Sequence, residues 1–149
     1  MTGHLDHIDR DIVSALVADG RLSMSQLAAQ VGVGRSTAYQ RVERLRADGV
    51  ILGFTAVVDP AALGRPVAAL ILCNLEQSSW RQALAELRSV HGVEHVIFTS
   101  GTFDAALLVR VADTAALRDV VLEQLQGSPR VRSTQTVFVL DEWRMGQTP

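Results

Sequence analysis

The sequence contains no lysine, and all 14 of its cationic side chains are arginine. Codon bias explains that absence as readily as function does, so it excludes nothing by itself. A single cysteine, Cys73, forms no internal disulfide and supplies no cysteine-based metal cluster. It sits in the apolar run Val67 to Leu75, where a buried, unreactive thiol is expected. Apolar runs of the roughly 20 residues that cross a bilayer are also missing. Met1 to Arg10 shows no apolar segment of the signal-peptide kind. The expectation is a cytoplasmic protein. Charged residues make up only 20% of the 149 against 48% hydrophobic, which excludes a disordered chain and suffices to fill a core.

The net charge of −2 would argue against a polyanionic partner if charge were evenly spread. It is not. Arg35, Arg41, Arg44 and Arg46 lie within twelve residues that hold one acid, Glu43, whereas from Phe54 onward eight arginines face ten acids. Any DNA affinity must come from the first third of the chain.

Residues 1–53 read as three helices. Asp6 is placed to cap the first, with Ile8, Ile12 and Leu16 at helical spacing, and Asp19-Gly20 ends it. Ser23 to Gln26 fits a capping box, and Leu27, Ala28 and Val31 form the inward stripe of a second helix. After the turn Gly32-Val33-Gly34 a third helix is expected from about Arg35 to Asp48. Ala38, Val42 and Leu45 face inward on it, leaving Ser36, Gln40 and Arg44 outward with Thr37 and Arg41 flanking. Two helices joined by a glycine turn, the second polar and basic on its free face, make a helix-turn-helix.

Residues 54–66 read as a linker: a β-type run, Phe54 to Val58, then Asp59-Pro60 and Gly64-Arg65-Pro66. Residues 67–149 form the second domain. Strands are expected over Val67 to Leu75, Val93 to Ser100, Phe103 to Val111 and Val131 to Leu140. Helices are expected over Trp80 to Val90, opened by a second capping box at Ser79 to Gln82, and over Thr114 to Gln126. The order β-α-β-β-α-β is the ferredoxin-like arrangement, with both helices on one face of a four-stranded antiparallel sheet. Runs such as Ala105 to Val109 are apolar on both faces, so a partner subunit is expected over the other face and the chain reads as a dimer at least.

The third helix suits duplex DNA. An α-helix fits the major groove, arginine and glutamine read guanine and adenine edges bidentately, and Ser36 and Thr37 suit phosphates near the helix start. One such module buries only roughly 600–1,000 Å² on DNA, so two or more must act together on a two-fold related site. Ser100-Gly101-Thr102 falls between two strands and reads as a tight hairpin. Glycine there admits a carboxylate close to backbone amides, and Asp104 is suited to an amino group; a plain hairpin capped by aspartate fits the same residues. Thr134, Gln135 and Thr136 are candidates to complete that pocket from a neighbouring subunit, though alternating threonines also suit an exposed strand. His91 and His95 are separated by the helix-ending Gly92 and do not form a zinc pair, and His4 and His7 carry no metal motif. Trp80 and Trp143 read as packing residues, and no metal or cofactor is expected.

These stretches together resemble a known family. Leu5 to Arg10, Asp19-Gly20-Arg21, Leu27-Ala28, Val31-Gly32-Val33, Ser36-Thr37, Arg41 to Leu45 and Gly49 to Phe54 look like the Lrp/AsnC regulators of bacteria and archaea. Gly101 to Asp104 and Val131 to Thr136 are similar to that family's ligand-sensing domain. The resemblance implies an α+β protein: an N-terminal winged helix-turn-helix and a C-terminal ferredoxin-like βαββαβ domain that senses an amino acid or related small molecule, in dimers that often assemble into octamers. It makes Arg35, Ser36, Thr37, Gln40, Arg41 and Arg44 the DNA-contacting set, and Ser100, Gly101, Thr102, Asp104, Thr134, Gln135 and Thr136 the effector set. One departure is Gly34, where the family usually has serine; glycine caps almost as well, but a hydroxyl near phosphate is lost. Two alternatives stand beside this reading: a ligand-independent architectural DNA protein, and an enzyme like the sirohaem decarboxylases, which share the architecture.

Overall fold

The computed structural model describes residues 5–76 and 80–142, the side chain of Trp80 excepted. His4, Trp143 and the capping serine Ser79 lie outside the described residues. The chain divides into two units, one ending at Ala56 and the other beginning at Val57.

The first unit is built from α1 (His7–Ala18), α2 (Met24–Val31) and α3 (Arg35–Ala47). Each of the first two starts where a side chain satisfies orphan amides. The Asp6 carboxylate accepts from Asp9 N–H at 2.9 Å and Asp9 returns the favour to Asp6 N–H at 3.2 Å. Ser23 Oγ accepts from Gln26 N–H at 3.3 Å while Gln26 Oε1 accepts from Ser23 N–H at 2.9 Å. By contrast, Gly34 caps α3 with no side-chain bond, so the first-turn amides of that helix stay open. Ile12, Leu16, Leu27, Val42 and Leu45 interlock as a core, with Ile8 and Val31 half-buried at its edge. Ile12, Leu27 and Leu45 alone, fully buried, stabilise the unit by roughly 1.5–3 kcal/mol each before entropy is charged.

No strand lies in residues 5–56, so the described first unit has no β wing. The β run expected over Phe54 to Val58 forms no ladder, because a strand needs a partner and none is present among the described residues. Phe54, Val57 and Val58 are exposed along it.

The second unit carries β1 (Val67–Leu75), α4 (Trp80–Leu87), β2 (Val93–Phe98), β3 (Ala105–Val111), α5 (Thr114–Asp119) and β4 (Val131–Phe138). The sheet is antiparallel with order β2-β3-β1-β4. Ile71 pairs with Leu107 on one side and Thr136 on the other, and this register turns Ala69, Ile71, Cys73 and Leu75 toward the helices with Ala105, Leu107, Val109 and Val111. Ala83 and Leu87 of α4 and Leu117 of α5 close over them. Burial pushes the Cys73 thiol up to about 11, which makes it inert.

The second helix differs from expectation in its winding. After Asp119 the chain widens into a π-helical turn, Val120–Leu125, closed by Gln126 N–H donating to Val121 C=O at 2.9 Å. The wide turn presses the following residue onto the helix end: a Cβ at Gly127 would sit 2.3 Å from Glu123 O, so only glycine fits there.

The opposite sheet face carries Leu70 flanked by Leu108 and Val137, and Leu72 flanked by Ala106 and Gln135. Ile97, beside Ala106, is 52% exposed there. Among the described residues one charge is buried on this face: Arg110, whose Nε donates to Glu94 at 3.0 Å and whose guanidinium also meets Glu142. Glu94 in turn pairs with Arg65 at 3.1 Å, so the buried cation is compensated.

Candidate nucleic-acid interface and ligand site

Helix α3 presents its expected polar face, with one change. Arg35, Ser36, Thr37, Gln40 and Arg44 are exposed, while Ala38, Val42 and Leu45 are buried beneath them. Arg41 is the change. Its Nη1 donates to Asp6 at 2.7 Å and to Asp9 at 2.8 Å, and its side chain is only 26% exposed. Arg44 shares the arrangement, donating from Nη2 to Asp9 at 2.5 Å, yet remains 51% exposed. Arg41, expected to flank the free face, is therefore committed to α1, and Arg44, expected to face outward, does so but is half committed.

The reason is Asp9. It is 1% exposed, and a carboxylate so placed needs compensation that the α1 capping box alone does not give. Burial pushes its carboxyl up, but hydrogen bonds from Arg41, Arg44 and the Asp6 amide outweigh that and leave it below the usual carboxylate range. The Arg41 hydrogen bond and the Asp9 amide hold Asp6 down at about 2. Asp6 is the cap expected from the sequence, but the pairing of Asp6 and Asp9 with Arg41 and Arg44 has no local signal, since nothing nearby links residues 6 and 9 to residues 41 and 44. Tyr39 was missed as well: it is the chain's one tyrosine and 57% exposed, one position before Gln40 on the free side of α3. An aromatic residue on an otherwise polar helix face was the available signal. Arg46, nearer the C-terminal end, is paired with Glu43 at 3.0 Å.

In the second unit the residues expected around an effector fall into three places. The connection between β2 and β3 runs over residues 99–104 and is wider than the tight hairpin expected. Asp104 is the physical reason: its N–H donates to Cys73 C=O at 2.9 Å and its carboxylate accepts from Leu75 N–H at 2.8 Å, which binds the end of the loop to β1. Thr99 closes the loop by donating Oγ1 to Phe103 C=O at 2.5 Å. Ser100, Gly101 and Thr102 stand exposed at the tip, where Gly101 has φ 148° and open space around it. Thr134 pairs with Cys73, and Cys73 with Ala105, so Thr134 lies at the same end of the sheet, two strand spacings or about 10 Å from the start of β3. Its Oγ1 accepts from Gln126 Nε2 at 2.9 Å, on the helix side. Thr136 shares that face but sits farther along beside Ile71, and Gln135 is on the opposite face beside Leu72. The three do not form one wall within a single chain.

Comparison with known proteins agrees with this division. Residues 5–46 match the AsnC-type helix-turn-helix domain and residues 68–149 the Lrp/AsnC ligand binding domain. The chain is 38% identical over 143 residues to the HTH-type transcriptional regulator AldR of Mycobacterium tuberculosis, covering 94% of this chain and 80% of that one. A second relative, the proline dehydrogenase transcriptional activator of Rhizobium radiobacter, is 35% identical, with 93% and 91% covered. Among solved structures, AsnC of E. coli superposes with a TM-score of 0.83 at 32% identity over 99% of both chains. These relatives are transcriptional regulators rather than enzymes, which removes the sirohaem decarboxylase alternative. Two matched domains spanning nearly the whole chain, and a helix-turn-helix whose free face is polar and basic, place the protein in the Lrp/AsnC family of DNA-binding transcriptional regulators, with a C-terminal ligand-binding domain.

Proposed function

We propose that this regulator reads a specific operator through α3 and changes its grip on DNA when an amino acid or related small molecule binds its C-terminal domain. The observation that carries the reading is the exposed set Arg35, Ser36, Thr37, Gln40 and Arg44 on a helix whose first-turn amides are uncapped by any side chain. Ser36, Thr37 and those amides suit phosphate, Gln40 suits adenine, Arg35 and the free half of Arg44 suit guanine or phosphate, and Tyr39 stands beside them. Arg41 belongs to this set as an anchor that holds the helix rather than as a base contact. In this reading the protein works in the cytoplasm, where its DNA is.

Useful specificity needs two such helices, and two unsatisfied surfaces support a homodimer. The apolar sheet face around Leu70, Leu108 and Val137, and the unpaired run Phe54 to Val58, both suit a second copy. Octamer formation, implied by the family resemblance, extends the same logic. The effector is assigned to the exposed loop Ser100 to Thr102, with the second oxygen of Asp104 and with Thr134, Gln135 and Thr136 supplied in part by a neighbouring subunit. Coupling of roughly 1–3 kcal/mol between effector and DNA suffices for regulation.

The test is an operator titration by fluorescence anisotropy with and without each of the twenty amino acids. Replacing Gly101 by Trp should abolish the effector response and leave DNA affinity unchanged. A normal response in that variant would place the effector elsewhere, and an operator affinity that no amino acid alters would favour the architectural reading.

A further inference from the structure

The second unit holds a cavity of about 290 Å³ between α4, the π-helical turn and the beginning of β4. Its floor is apolar, made by Leu75, Ala83, Leu87, Val90, Leu125 and Val131. At roughly 30 Å³ per water, that volume admits about ten water-sized groups, the size of a small metabolite. It is separate from the loop tip to which the effector was assigned.

The polar groups around the cavity decide what it would take. Glu86 has both oxygens engaged, one by Arg130 Nε and the other by Ser128 Oγ at 3.4 Å. Ser89 Oγ is spent as a donor to Glu86 C=O at 2.6 Å. Gln124 Oε1 accepts from His91 N–H at 2.8 Å, which leaves its Nε2 donor. Arg130 uses Nε on Glu86 and Nη1 on Gln82 Oε1 at 3.2 Å, which leaves Nη2. Two donors, one of them cationic, remain open beside an apolar floor. The π-helical turn supplies Gln124 and Leu125 to the lining; such turns recur where a helix is locally rebuilt around a functional site.

We propose that this cavity is a second small-molecule site that takes a branched aliphatic monocarboxylate: the carboxylate meets Arg130 Nη2 and Gln124 Nε2, and the alkyl tail fills the floor. The proposal stands apart from the effector assignment at the loop, and it does not need DNA binding to be tested.

Isothermal titration of the full chain with 4-methylpentanoate tests it. Wild type should bind one molecule per chain. Arg130→Gln, at a partly exposed position, should weaken 4-methylpentanoate binding by about tenfold or more, as expected for the loss of a charge-assisted bond, with circular dichroism showing an intact fold. Ala83→Leu should abolish binding by filling the floor, with circular dichroism showing an intact fold. Gly101→Trp should leave the affinity unchanged. Absence of binding to wild type, full affinity in Arg130→Gln, or loss of binding in Gly101→Trp would each overturn the proposal; the last outcome would mean that the acid occupies the loop site.

Discussion

In the first unit the stripes of three helices meet in one core, and arginine, glutamine and hydroxyl side chains are left outside. In the second, helices cover one face of a sheet, and the other keeps Leu70, Leu108, Val137 and Ile97 partly in solvent. Water solvates the first kind of surface at no cost and the second only at a cost of about 25 cal/mol per Å² of apolar area. Residual charge thus marks where a polyanion would dock, and residual apolar area where another copy of the chain would. Among the described residues each unit also buries one compensated ion, Asp9 in the first and Arg110 in the second, and in both cases the partners come from distant parts of the sequence.

The sharpest way to break the contrast is to remove the buried ion from the first unit alone. Asp9→Ala leaves Arg41 and Arg44 without their shared partner and deletes half of a capping box; it should destabilise the unit by about 3 kcal/mol or more in urea denaturation followed by circular dichroism. A loss below 1 kcal/mol would show that the cluster is only a surface pair. Next in size, a charge on the bare sheet face, Leu108→Glu, should raise the dimer dissociation constant about 100-fold, roughly 2.7 kcal/mol, in sedimentation equilibrium, while operator contacts per helix persist. An unshifted dimer would move the interface elsewhere. On the helical side, Gln40→Ala should cost about 1–3 kcal/mol at one operator position, and Arg35→Ala should weaken all sequences alike and reduce the salt slope by about one. Equal losses on every sequence for Gln40→Ala would deny it a reading role.

The smallest effect separates the units by pH. Folding holds Asp6 at about 2 against its ordinary 3.8, and lowers Asp9 too. Between those values the unfolded chain binds more protons than the folded one, so stability falls as pH drops from about 4 toward 2 and is fully present above that window. An acid titration by circular dichroism should show this loss in the helical unit, and Asp6→Asn should flatten part of it. A curve unchanged by Asp6→Asn would deny that carboxylate its pairing.

The helix starts at Asp6 and Ser23 were legible because a cap is a bond between residues three apart, and the inward stripes because burial repeats with the helix period. The order of β elements followed from alternating and apolar runs in the same local way. The strand over 54–58 was not a safe reading, since pairing needs a neighbour that the run itself does not contain. Nor was the tight hairpin at Ser100, because Asp104 is bound to β1 by a hydrogen bond spanning 29 positions.

What the sequence by itself determined is therefore the list of elements, their caps, the basic third helix and the resemblance that named the family, all set by interactions within a few residues or by motif order. Tertiary structure alone decided that Arg41 serves α1 and that a cavity opens beside the π-helical turn. Those outcomes depend on register and on contacts between residues more than thirty positions apart, for instance Arg41 and Asp9, which no local pattern encodes.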